Sequence, residues 1–294
     1  MNLIVTGSRS FIGSELLTQC RARNHQVIAI DASTGGEPSH IEADIRDTAI
    51  ESILPGGSDA LIHLAAISRD PDCRLDPQRA FDINVGGTLN LIRAAEARRI
   101  RQFVFASSEW VYGEVENDAV QTEDSLIDAS RIVSEYALTK IAGERLLAMA
   151  HREGRLPAAT ILRFAIVYGP RRSNWSAVES LFHAVQRDNA VDVKGSLATA
   201  RRFIHVRDAA SGILASIGRT GIETFNLSGN SLIRLRDVVE ASSRLLDRTP
   251  AIIEANPAAV SIRNPDNAKA RRMLGWQPQV DLIAGLETLC SRKR

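Results

Sequence analysis

Short apolar runs rich in Ile, Val, Leu and Phe recur along the chain at Asn2 to Thr6, Gln26 to Ile30, Ala60 to Ala65, Gln102 to Ala106 and Ala158 to Phe164. Each is followed by a turn signal or by a helical pattern, and such continuous runs predict buried parallel strands. Between them the periodicity predicts helices over Phe11–Arg21, Gln78–Arg99 and Arg131–Arg152, the last two long enough to bury one face against a sheet. Strand and helix in alternation predict an α/β fold with a doubly wound parallel sheet over residues 1–164. Beyond that the runs shorten and Pro and Gly mark several turns. A smaller substrate-binding part is expected at 165–294, with about 200–228 returning to the first domain, and a cleft between the two.

Composition narrows the function. The 294 residues are 44% hydrophobic and 24% charged, which excludes disorder and fibrous folds. With 36 basic against 35 acidic residues, no global field recruits nucleic acid or an anionic membrane, so a small-molecule partner is expected. Three scattered cysteines suit neither a disulfide framework nor a metal cluster, and no His, Cys or Asp spacing suggests a metal. A reducing compartment follows. No stretch of about 18 apolar residues and no basic leader is present, so a cytoplasmic location is expected.

The first run opens into Thr6-Gly7-Ser8-Arg9-Ser10-Phe11-Ile12-Gly13, a turn that begins a helix and aims first-turn N–H groups at an anion such as a pyrophosphate. Gly7 allows the tight turn and Gly13 allows close helix–strand packing, while Ser10 stands where a middle glycine is usual in a Rossmann-type loop. Eighteen residues beyond Gly13, the second run ends at Asp31, whose carboxylate suits a ribose 2′-hydroxyl and repels a 2′-phosphate. NAD is favoured over NADP on that ground, with Arg9 working in the opposite direction.

Tyr136 and Lys140 stand at i and i+4 in the third helical stretch and so share one face. The chain has only three tyrosines and four lysines, so composition alone would give roughly 0.04 such pairs. A phenol ordinarily titrating near ~10 needs an adjacent cation to act as a base near neutrality. The fifth run leads into Ser107-Ser108-Glu109-Trp110, placing hydroxyls at the carboxyl end of a strand, where such sheets bind ligands. Ser108, Tyr136 and Lys140 thereby form a constellation for alcohol–ketone interconversion. His63 and His205 are read as structural.

These motifs together resemble the extended short-chain dehydrogenase/reductases, specifically the NAD-dependent epimerase/dehydratase family acting on nucleotide sugars. Further carriers are Asp44-Ile45-Arg46-Asp47, His63 to Ala66, the segment from Asn84 to Asn90, Leu162 to Pro170, Arg201 to Asp208, Phe225 to Gly229, and Arg263 to Trp276. The resemblance implies that Gly7, Ser10, Phe11, Ile12, Gly13 and Asp31 contact the cofactor, that Asp44 and Ile45 touch its adenine, and that Leu64, Ala65 and Ala66 line it. It implies that Asn84 steadies the helix bearing Tyr136 and Lys140, which also meet the cofactor. Ser108, Tyr136 and Lys140 fall on the catalytic triad. Ser108 and Glu109 fall beside the substrate, and Arg201 and Arg263 on positions that grip its diphosphate. A homodimer pairing the two long helices is implied as well.

Two departures bear on the reaction. Ile166 stands where many members carry Asn, and Trp110 follows Glu109 where dehydratases carry Asp-Glu. An indole cannot serve as the acid of an elimination. The expectation is therefore a nucleotide-sugar epimerase working through a keto-sugar, with a ketoreductase or a non-catalytic dinucleotide-binding regulator as alternatives.

Overall fold

The computed structural model describes residues 1–33, 35, 39–171, 176–187 and 190–290. The apolar runs form strands β1 (Asn2–Thr6), β2 (Gln26–Asp31), β4 (Ala60–His63), β5 (Phe103–Ser108) and β6 (Ala158–Phe164), joined by β3 (His40–Glu42). With the strand Gly221–Leu227 they make one seven-stranded sheet, ordered Gly221–Leu227, β6, β5, β4, β1, β2, β3. β1 pairs in parallel with β2 on one side and β4 on the other, Thr6 lying opposite both Ile30 and His63. The chain therefore runs outward from β1 through β2 and β3, then crosses back to β4. That reversal is the topological switch point of a Rossmann-like sheet, and it opens a crevice at the carboxyl ends of β1 and β4. The two edge strands escaped the sequence pattern because edges carry mixed polar and apolar residues, with no continuous run to detect.

The helix α1 (Phe11–Ala22) starts where expected, Ser10 accepting a hydrogen bond from the Gly13 N–H as its N-cap. The stretch expected as one helix over 78–99 is instead an α-helix from Pro77 to Phe81, a π-turn over Asp82–Gly86 and a second α-helix over Gly87–Ala97. The helix expected from Arg131 begins at Glu135, because Ser134 caps it by accepting from the Ala137 N–H and Asp70 in turn accepts from the Ser134 hydroxyl. Residues 129–131 form a separate 3₁₀ turn.

The chain divides into two compact units. The first holds Met1–Gly113, Leu126–Arg163 and Ala210–Phe225. Its core packs Ile4, Ile30 and Leu61 of the sheet against Leu91, Ile92 and Leu147 of the long helices. The second holds Glu114–Ser125, Phe164–Ala209 and Asn226–Arg294, with a core around Tyr168, Phe182, Phe203, Val238 and Leu286. Ile166 packs against that second core. No helix among the described residues is long and apolar enough to cross a membrane.

Candidate active site

The loop after β1 is built on two glycines. Gly7 adopts φ +69°, and a Cβ there would sit 2.5 Å from the Ala65 nitrogen. A Cβ on Gly13 would come within 2.3 Å of the Gly7 carbonyl oxygen. The loop thus lies directly against the backbone of Leu64 and Ala65, which follows β4, leaving the start of α1 as the floor of the crevice. First-turn N–H groups have no acceptor within a helix. Ser10, in place of a middle glycine, accepts from the Gly13 N–H through its hydroxyl and so serves as the helix cap.

At the end of β2, Asp31 accepts from the Arg9 backbone N–H at 2.9 Å and the Ser33 N–H at 3.3 Å. These bonds fix its carboxylate beside the glycine loop. The Arg9 guanidinium is held by the Ser33 carbonyl at 2.8 Å and covers Gly35. Asp44 is gripped by Arg46, whose side-chain hydrogen bonds hold its carboxyl below the usual range. Ile45 is buried in the core against Gly87.

His63, at the end of β4, is wholly buried, and burial lowers its pKa to about 3. Thr88 donates its only hydroxyl proton to the Asn84 carbonyl at 2.6 Å, so it accepts from His63 Nε2 at 3.0 Å, and His63 Nδ1 accepts from the Thr6 hydroxyl at 2.8 Å. The imidazole is a neutral strut between β1 and the helix Gly87–Ala97. Because its folded pKa lies below the unfolded value, its contribution to stability is complete above about 6.5 and is lost as pH falls toward 3. The loss over that window is on the order of 5 kcal/mol for one such group. His63→Gln should therefore flatten the decline in unfolding free energy between pH 6 and pH 4 measured by urea titration. Identical profiles in the two proteins would contradict this role.

Asn84 lies in the π-turn and is buried. Its carboxamide accepts from the Ile67 N–H at 2.8 Å and donates to the Ile67 carbonyl at 2.9 Å and to Thr139 Oγ1 at 3.1 Å. Thr139 donates to the Tyr136 carbonyl. One side chain thus ties the loop after β4 to the first turn of the Glu135–Arg152 helix. Thr139 carried no sequence signal of its own.

Ser108 ends β5, and its hydroxyl faces the Tyr136 phenol closely enough to act on its proton equilibrium. The Lys140 ammonium lies 5.6 Å from the centre of the Tyr136 ring and 4.9 Å from that of Phe105. Burial pushes the phenol above its ordinary value, partly countered by the Ser108 hydroxyl, and lowers Lys140 to about 8. Glu109 is fully buried, whereas Trp110 is only half-buried. Ser108, Tyr136 and Lys140 are thus brought together at the carboxyl ends of parallel strands.

In the second unit, Arg263 hydrogen-bonds through its backbone to the Ala200 carbonyl, which sets it beside Arg201. The Arg201 guanidinium donates to the Ala200 and Ser261 carbonyls and to the Ser261 hydroxyl. Arg263 lies 3.6 Å from the Glu114 carboxylate, which also accepts from Ser261. Glu114 and Ser261 were invisible in the sequence because only the fold brings residue 114 next to 261. Among the described residues, no group of three or more His, Cys, Asp or Glu could hold a metal ion.

Residues 3–228 match the NAD dependent epimerase/dehydratase family. The chain is 30% identical to a putative UDP-glucose 4-epimerase of Methanocaldococcus jannaschii over 97% of its own length and 96% of the relative's. It is 29% identical to dTDP-glucose 4,6-dehydratase of Streptomyces griseus over 97% and 92%. Among solved structures, MoeE5 in complex with UDP-glucuronic acid and NAD superposes with a TM-score of 0.86 at 27% identity, covering 98% of this chain and 97% of that one. Identity of the same order to an epimerase and to a dehydratase does not separate the two reactions, but the matched length, the Rossmann-like sheet and the glycine loop agree. The chain belongs to the NAD dependent epimerase/dehydratase family, enzymes of the extended short-chain dehydrogenase/reductase type.

Proposed function

We propose that the protein is an NAD-dependent nucleotide-sugar epimerase that works through transient oxidation to a keto-sugar. The observation that carries this reading is the convergence of Ser108, the Tyr136 phenol and the Lys140 ammonium, the last 5.6 Å from the centre of the Tyr136 ring. The residues around the crevice fit a dinucleotide. Both loop glycines lie where a Cβ would collide, which leaves the start of α1 accessible for a pyrophosphate, and Asp31 is fixed where a ribose diol is recognised. When bound, NAD supplies the hydride acceptor and donor.

The chain's own work is proton transfer and orientation. Tyr136 takes the proton of a sugar hydroxyl, and the Ser108 hydroxyl stabilises the oxygen as charge develops on it. Lys140 supplies the neighbouring cation that a phenol raised by burial requires. Arg201 and Arg263 serve the diphosphate through their planar forks. If the keto-sugar presents its other face when the hydride is given back to its carbon, Tyr136 returns the proton to the oxygen and the product is an isomer. Trp110 offers no acid for elimination, so the keto-sugar is expected to keep its water.

The test is direct. Freshly purified protein, once denatured, should release NAD rather than NADP, and incubation with UDP-, TDP- or GDP-hexoses should give isomers of unchanged mass. Loss of water or carbon dioxide, or a protein that arrives empty and consumes NADPH, would overturn the reading.

We further propose a homodimer in a reducing, cytoplasmic setting. Leu138 and Met149 lie eleven positions, about three turns, apart on the Glu135–Arg152 helix, and both are exposed together with Leu75 and Phe81. Cys20 and Cys73 are buried free thiols, which suits a reducing compartment. Light scattering should give twice the chain mass, and a monomeric mass at micromolar concentration would refute the dimer.

A further inference from the structure

We propose that the buried Glu144–Arg163 pair, together with Ser107 and Tyr112, is the positioning device that holds Ser108 in register with Tyr136 and Lys140. The inference rests on the catalytic reading above and assigns new roles to four residues that touch neither cofactor nor substrate in it. Glu144 is wholly buried and Arg163 is 3% exposed. Arg163 Nε donates to Glu144 Oε1 at 2.9 Å and Nη2 donates to Oε2 at 2.7 Å, a two-pronged pairing that fixes direction as well as distance.

The partners lie on both chain sides of Ser108. Ser107, its predecessor on β5, donates to Glu144 Oε1 at 2.6 Å. Tyr112, which ends the 3₁₀ turn after Ser108, accepts through its hydroxyl from Arg163 Nη1 at 2.9 Å, with the guanidinium 4.8 Å from its ring centre. Glu144 itself stands one helical turn beyond Lys140 and two beyond Tyr136 on the same helix. A single ion pair thus joins the strand that presents Ser108, the turn that follows it, the helix that presents the phenol and ammonium, and β6 behind them. Gly143 lets these elements approach: a Cβ there would lie 2.4 Å from the Phe105 ring.

Stability alone is a poor reason for such a pair. Removing two charges from water costs as much as their attraction returns, and well-packed apolar residues of similar volume often do as well or better. Directional pairing is what apolar residues cannot supply. Glu144 also acts on Lys140 by charge, opposing the burial that lowers the ammonium to about 8. The other groups facing Lys140 are Tyr136 on its own helix, Cys73 from the short helix Asp70–Leu75, and the neutral His63 at the end of β4.

The experiment replaces the pair by the volume-matched Glu144→Met/Arg163→Met, with Ser107→Ala as a second variant should the first not fold. NAD affinity and KM are expected to stay within a few-fold, while kcat falls at least tenfold in the double variant and several-fold in Ser107→Ala. The second readout needs no substrate. With four lysines in the chain, isotope-labelled lysine gives few side-chain NMR signals, and Lys140→Arg assigns the one that matters. Its titration should move below about 8 in the double variant and, as a folded control, in Glu144→Gln. An unmoved Lys140 titration, or wild-type kcat in the double variant or in Ser107→Ala, would overturn the inference. If the wild type turned over no nucleotide sugar, the catalytic reading would fail, and the titration would still decide whether this pair governs Lys140.

Discussion

Tyr136→Phe is expected to lower turnover by about 10²–10⁴-fold, the usual consequence of deleting a general base. The substitution removes one oxygen, the atom that faces Ser108, and leaves the ring against which Lys140 lies. The helix should be undisturbed, because Ser134 caps it and Asn84 holds it through Thr139, and neither contact involves the phenol. Cofactor retention should therefore be close to that of the wild type, and the loss should fall on kcat. The measurement is turnover of whichever nucleotide hexose is isomerised, paired with the NAD content of the purified variant. Turnover within a few-fold of wild type would remove Tyr136 from the mechanism, and loss of both turnover and NAD would make it a structural residue.

Gly7→Ala should damage both fold and cofactor binding. At φ +69° an alanine is strained by about 1–2 kcal/mol, and its methyl would meet the Ala65 backbone at 2.5 Å, where no flexible side chain can yield. Overpacking adds about 1–3 kcal/mol. A fall in melting temperature on the order of 10 °C follows for a chain of this size, with loss of retained NAD as the loop is pushed from its place against Leu64 and Ala65. Calorimetry and nucleotide release test both parts. A variant that melts with the wild type and still carries NAD would show that the loop does not depend on this close approach.

The difference between these residues and those behind them is one of range. Tyr136 and Lys140 are separated by one helical turn, and Gly7 to Gly13 by one strand–turn–helix corner, so helical periodicity and turn chemistry expose them in a linear reading. Ser107, Glu144, Arg163 and Tyr112 come from four elements, and no local period relates them. The π-turn at Asp82–Gly86 was likewise hidden, since the apolar spacing on either side reads as one helix while the turn itself answers to the contacts of Asn84 with Ile67 and Thr139.

The sequence by itself determined the central strands, because residues buried on both faces must be continuously apolar, and it determined the glycine loop and the i, i+4 pairing of phenol and ammonium. Tertiary structure decided the edge positions of His40–Glu42 and Gly221–Leu227, whose mixed patterns acquire meaning only beside β2 and β6, although a return of about 200–228 to the first domain was expected. It decided that His63 is a neutral strut, since its protonation follows from burial between Thr6 and Thr88. It also decided the company of Arg201 and Arg263, where Glu114 and Ser261 arrive from distant parts of the chain. Periodicity records which face of an element is buried, whereas the partner on that face is fixed only when separate elements pack, and both His63 and the Glu144–Arg163 pair owe their properties to such partners.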